Sequence, residues 1–129
     1  MSGDREPRPP ATRLFIYGTL KHGGENHRWL AGQTCLGPAR TVPGFTLYSL
    51  GNYPGLVADP RDADGVAGEL WQVDAGCLAR LDELEGLAEG LYLRQPVALA
   101  APPGITAAET YFYARDLAGR TQLGSHWPV

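Results

Sequence analysis

The chain has 129 residues, 43% of them hydrophobic and 19% charged, with a formal net charge of −3. That length suits one domain, and the apolar fraction suffices for an ordinary core. The acidic balance and the lack of any basic cluster exclude a nucleic-acid footprint, and no apolar run has the length that a membrane-spanning helix needs.

Residues 1–12 are polar and include Arg8-Pro9-Pro10. They lack the apolar centre of a signal peptide and are expected to form a disordered leader ahead of a folded domain, 13–129. Without an export signal, Cys35 and Cys77 are expected as free thiols in a reducing cytoplasm. The 17 glycines and 11 prolines punctuate apolar runs instead of clustering, the pattern of short strands joined by tight turns.

Arg13 to Tyr17 reads as the first strand, where Leu14-Phe15-Ile16-Tyr17 runs straight into Gly18 and Thr19. Gly18 lets the backbone turn sharply or approach a ligand with no Cβ in the way. Exposed amide N–H groups in such a turn make an anion cradle. A short helix is expected from Asn26 to Leu30, stopped near Gly32, and a second strand over Thr34 to Val42. In that strand Gly37-Pro38 marks a bulge or an edge position. Pro43-Gly44 turns the chain into Phe45 to Tyr48, and Asn52 to Gly55 turns it again before Leu56-Val57-Ala58. Asp59 to Gly65 is a polar loop. Val66 to Val73 alternates, with Val66, Gly68, Leu70 and Gln72 on one face and Glu69, Trp71 and Val73 on the other. Asp74 is placed to N-cap the one long helix, Ala75 to Leu84, with Gly86 as its stop. Two further strands, Tyr92 to Ala100 and Thr106 to Ala114, flank Ala101-Pro102-Pro103-Gly104. About seven short strands and two helical segments predict an α+β fold with a strongly bent sheet or small barrel. The connections are too short for the helical crossovers of a doubly wound sheet.

The long helix carries a carboxylate on its apolar side. At 100° per residue, Cys77, Leu78, Leu81, Leu84 and Ala88 form one stripe, and Glu85 falls inside it. Glu83 points the opposite way, and Asp82 lies at the edge. A Glu on a buried face is uncommon unless it is paired or functional, and burial tunes such a group toward general acid–base work. From position alone two other readings stay open: Glu85 drifts out to solvent at the helix end, or it pairs with Arg94. Arg94 can equally be a plain strand-edge charge.

Other chemistries find no pattern. Neither cysteine has a local partner for a Cys–His nucleophile. His22, His27 and His126 lack metal-ligand spacing. The Gly18 turn opens neither a G-x-G-x-x-G nor a Walker motif. Tyr17, Tyr92, Tyr111 and Tyr113 each read as core residues when taken singly.

Four segments in order carry a resemblance: Tyr17-Gly18-Thr19-Leu20, Val66 to Trp71, Leu81-Asp82-Glu83-Leu84-Glu85-Gly86, and Tyr92-Leu93-Arg94. With Tyr53-Pro54-Gly55-Leu56-Val57 and Gly124-Ser125-His126-Trp127, they resemble the γ-glutamylcyclotransferase-like (AIG2-like) family over Arg13 to Trp127. The resemblance implies a small mixed β-barrel flanked by short helices, and an enzyme needing no cofactor and no metal. Its members release a γ-glutamyl group as 5-oxoproline, freeing the attached amine. Carried over, Glu85 is the catalytic acid/base, Tyr17, Gly18, Thr19 and Leu20 form the substrate loop, and Tyr92 and Arg94 assist in substrate binding. The expected partner is a small-molecule γ-glutamyl compound, with no nucleic acid and no membrane, and the assembly is a monomer or homodimer. A non-catalytic ligand-binding module and a γ-glutamyl amide hydrolase are the alternatives. The loops Asp59 to Gly65 and Gly86 to Leu91 are expected to set substrate choice. The Glu85 carboxylate is expected across a pocket from the Gly18–Leu20 amides.

Overall fold

The computed structural model describes residues 11–128. The expected leader falls on residues 1–10, outside the described residues, and on the first two described positions. Eight strands follow: β1 (Thr12–Ile16), β2 (Thr34–Thr41), β3 (Phe45–Ser49), β4 (Pro54–Ala58), β5 (Ala67–Val73), β6 (Tyr92–Ala101), β7 (Ala107–Tyr113) and β8 (Thr121–Gly124). One helix, α1 (Ala75–Leu84), and two single 3₁₀ turns, His27–Leu30 and Leu87–Glu89, complete the elements. No helix among the described residues is long and apolar enough to cross a membrane.

The expected small barrel is present, and it is closed. Strands β1, β5, β2, β6 and β7 pair antiparallel in that order, and β7 returns to β1 in parallel, with Leu14 opposite Glu109. Beyond the barrel β7 also pairs in parallel with β4, Leu56 opposite Phe112, and β3 and β8 extend that arm. β2 is an interior strand, so Gly37-Pro38 marks a bulge and not an edge: the register shifts between Cys35 and Gly37. β8 is an addition to the predicted elements. Its Thr-Gln-Leu-Gly is too short and polar to announce a strand, and its place comes from pairing with β3.

Strand alternation divides the core in two. Phe15 of β1 and Tyr17 just past its end join Leu70, Val66, Val97 and Leu99 inside the barrel. Leu14 and Ile16 point the other way, to Trp71, Val73 and the helix residues Cys77 and Leu81. The predicted faces of the Val66–Val73 stretch hold for Leu70 on one side and Trp71 and Val73 on the other.

α1 begins as predicted. The Asp74 carboxylate accepts the Cys77 N–H at 2.7 Å, with the capping residue extended. Its stop is Gly86, at φ +68, the left-handed conformation in which glycine avoids a Cβ penalty. The apolar stripe is narrower than predicted. Cys77 and Leu81 are buried, but Leu84 is 38% exposed and Ala88 lies in solvent. Ala88 lies past the helix end at Leu84, where the 100° spacing no longer governs, while Leu84, the last helical residue, lines an open cavity together with Glu85. Glu85 keeps its place because it is the C-cap, four residues beyond Leu81 on the Cys77–Leu81 line. Both cysteines are free thiols, Cys35 exposed and Cys77 buried.

Candidate active site

A cavity of about 380 Å³ opens between the end of β1, the turn after it, the β3–β4 connection and the C-terminus of α1. Gly18, Thr19 and Leu20 line one side, and Glu85 lines the same cavity. Tyr17 and Tyr92 line it too.

The turn is built by the ten residues after β1 wrapping on themselves. The Lys21 N–H donates to the Gly18 carbonyl at 3.1 Å, and the Asn26 N–H to the Thr19 carbonyl at 2.9 Å. The Asn26 amide also donates to Thr19 Oγ1 at 3.0 Å, and His27 Nδ1 meets the Leu20 carbonyl at 2.9 Å. These bonds fix the carbonyls. The N–H groups of Gly18, Thr19 and Leu20 donate to no acceptor among the described residues, so they are free to receive an anion or a polarised carbonyl. Gly18 is required by a close approach: a Cβ there meets Pro54 Cγ at 2.8 Å and Cδ at 2.9 Å.

Glu85 sits among three buried tyrosines, none of which serves it. The Tyr17 hydroxyl donates to the Tyr111 carbonyl at 2.6 Å and accepts the Leu56 N–H at 3.3 Å. Tyr92 donates to the Pro54 carbonyl at 2.7 Å, and Tyr111 to Asp82 Oδ1 at 2.7 Å. Burial above all holds the three phenols above their ordinary range, helped next by the Glu85 charge at Tyr17, by Tyr17 at Tyr92, and by the hydrogen-bonded Asp82 at Tyr111. The Glu85 carboxylate therefore keeps its lone pairs while losing bulk water, and burial alone pushes its pKa up to about 7. A carboxyl group in that state takes and returns protons near neutral pH.

Arg94, expected among the substrate-binding residues, stands apart from the cavity lining. Its guanidinium grips Asp82 through two bonds, Nε to Oδ1 at 2.9 Å and Nη2 to Oδ2 at 3.0 Å, and reaches Glu109 with Nη1. It is not among the cavity-lining residues, nor does it pair with Glu85. Sequence showed a charge on β6 but not that a carboxylate one helix away claims it. Asp82 in turn fixes the Tyr111 hydroxyl, so Arg94 supports a wall of the cavity from behind. The loop Asp59 to Gly65 also lies off the cavity, while Leu91 of the Gly86–Leu91 segment lines it. Asn52, Glu25 and Asn26 line it as well. Asn52 was legible only as the start of a turn and Asn26 as the start of a short helix, and nothing in the sequence singled out Glu25.

The described residues thus form a closed β-barrel whose rim carries free turn amides and a desolvated carboxylate facing one cavity. Similarity to known proteins makes this specific. The family model for "Gamma-glutamyl cyclotransferase, AIG2-like" matches residues 14–128, and the chain belongs to that family. A Vibrio cholerae relative is 47% identical over 72 residues, 56% of this chain and 60% of its own length. Gamma-glutamylcyclotransferase family protein YtfP of Escherichia coli is 37% identical over 107 residues, 83% of this chain and 87% of its own. The solution structure of ytfP matches at a TM-score of 0.64 with 33% identity, over 88% of this chain and 92% of that one. YkqA of Bacillus subtilis matches at a TM-score of 0.73 with 30% identity, over 88% of this chain and 38% of YkqA. The chain thus spans less than two thirds of the Vibrio cholerae protein and of YkqA.

Proposed function

We propose that the protein is a γ-glutamylcyclotransferase acting on a γ-glutamyl amine or amide, with Glu85 as general base and then acid. The observation that carries this reading is the unpaired Glu85 carboxylate, raised to about 7, in one cavity with three unpaired turn N–H groups. In the reaction the α-amine nitrogen attacks the γ-carbonyl carbon of its own chain and closes a five-membered ring. The carbonyl π electrons move onto oxygen, which the amides of Gly18 to Leu20 stabilise. Glu85 takes the proton that the attacking nitrogen sheds. It returns that proton to the departing nitrogen as the old C–N bond breaks, leaving 5-oxoproline and a free amine. Attack is intramolecular, so holding the chain curled removes much of the barrier. Tyr17 and Tyr92 act as walls, since both hydroxyls are engaged elsewhere, and Arg94 acts as a positioning residue through Asp82 and Tyr111.

Incubating the protein with a panel of γ-glutamyl compounds and identifying the product by mass spectrometry tests the reading. The expected product is 5-oxoproline. Free glutamate would make the protein a hydrolase, and binding without turnover would make it a ligand-binding module. Gly18→Ala adds a second test. Its Cβ forces Pro54 or the turn to shift, and displacement of a positioned group by about 1 Å costs about a hundredfold in rate. The expected loss is in kcat/KM for 5-oxoproline formation, measured at a temperature where circular dichroism shows the variant folded.

A further inference from the structure

The γ-glutamyl half of the substrate is common to the whole reaction class; the leaving amine decides which compound is used. Resting on the cyclotransferase reading, the cavity's charge pattern bears on that amine. Of the residues that line it, two carry a formal charge, Glu25 and Glu85, and no Lys, Arg or His lines it. Glu85 is committed to the proton transfers. Glu25 is exposed at the rim, and its carboxylate enters none of the ion pairs among the described residues.

The neighbouring cations point elsewhere. Arg28 donates to the Glu25 carbonyl and lies 5.9 Å from the Trp29 ring centre. Lys21 is buried and donates to the Trp127 carbonyl at 2.6 Å. The backbone of Glu25 is held from both sides. The Gly24 N–H donates to the Lys21 carbonyl at 2.8 Å, and Asn26 is tied to Thr19. Gly24 itself packs so tightly that a Cβ there would lie 2.2 Å from the Thr19 oxygen. The Glu25 carboxylate is therefore presented at the rim from a fixed stretch of chain. Around the same cavity stand Leu84, Leu91 and Tyr53, the first and last more than a third exposed. They offer apolar surface to methylenes and one aromatic face to a cation.

We infer that the leaving amine is an alkylamine with a second, protonated amine, so that the substrate is a γ-glutamyl derivative of a diamine. A leaving group that ends in a carboxylate meets two like charges and no compensating cation. A diamine lays its methylenes on Leu84, Leu91 and Tyr53 and its ammonium against Glu25. Cyclisation then yields 5-oxoproline and the free diamine, with no other reactant.

Three compounds of matched length test this with the full chain: γ-glutamyl-1,4-diaminobutane (cationic end), γ-glutamylbutylamine (neutral) and γ-glutamyl-4-aminobutyrate (anionic). The measurement is kcat/KM for 5-oxoproline release, in low salt and again in about 0.5 M salt, where the Debye length shrinks to a few ångströms. The expected order is cationic, neutral, anionic, with roughly fivefold to twentyfold between the ends in low salt. Salt compresses that span, and Glu25→Lys inverts the order. Equal turnover, preference for the anionic compound, or an order that Glu25→Lys leaves unchanged overturns the diamine inference and leaves the cyclotransferase reading standing. No 5-oxoproline from any of the three overturns both.

Discussion

Glu85→Gln is expected to lower kcat for 5-oxoproline formation by about 10²–10⁴-fold, the range a positioned acid–base group supplies. The amide keeps the shape of the carboxyl group but can neither take the proton from the attacking amine nor return it to the leaving one. Because the carboxylate is the working form in the first step, kcat/KM of the parent should rise as pH climbs through about 7, and this limb should vanish in the variant. The same group makes a stability prediction of definite sign. Folding raises its pKa from 4.5 to about 7, so its favourable contribution is whole below pH 4.5 and is lost as pH rises through 7. The loss amounts to at most about 3 kcal/mol, since one pKa unit is about 1.4 kcal/mol and the cavity admits some water. Glu85→Gln should therefore gain stability over the parent at pH 8 and not at pH 4, as read by urea unfolding at both values. Equal activity of variant and parent would remove Glu85 from the mechanism.

Phe15→Ala should cost about 3–5 kcal/mol, a large share of the roughly 5–15 kcal/mol available to a domain. Phe15 is fully buried at the centre of the barrel cluster. Its ring fills the space beside Gly68, where even a Cβ would come within 2.8 Å of it. It also stacks at 6.3 Å on Tyr17, whose hydroxyl ties β1 to β7 and β4. Truncation thus opens a cavity in a cluster that cannot collapse without moving the strand ahead of the Gly18 turn. Urea unfolding measures the cost directly, and Leu93→Ala is the control: that side chain is 47% exposed, and surface changes stay within about 0.5 kcal/mol.

Most of the local structure was legible because local rules decide it. Asp74 and Gly86 bracket α1 to the residue, since a cap and a left-handed glycine are sequence-near devices. Glu85 was legible for a similar reason, four residues beyond Leu81 on a line that starts at Cys77. Ala88 was misassigned because periodicity has no knowledge of where the helix stops, and Leu84 because periodicity marks a face without showing that a cavity leaves it open. What is long-range was hidden. Closure of the barrel depends on β1 meeting β7, and nothing near Leu14 points to Glu109. Arg94 reads as a substrate ligand until Asp82, twelve residues earlier, takes both of its parallel donors. The resemblance supplied the link between the Gly18 turn and Glu85, which no periodicity connects.

Closure of the barrel through its first and last strands, β1 and β7, also sets the order of assembly. Thr110 Oγ1 donates to the Phe15 carbonyl, and Tyr17 donates to the Tyr111 carbonyl, across separations of 95 and 94 residues. Contacts that distant are entropically costly to form early and slow the folding of β-rich chains. On a ribosome β1 must wait, unpaired on that side, until nearly the whole chain has been made. The Gly18 turn and the Tyr111 wall of the cavity are then brought together in the same late event, so a chain truncated before β7 has no half-formed pocket to offer.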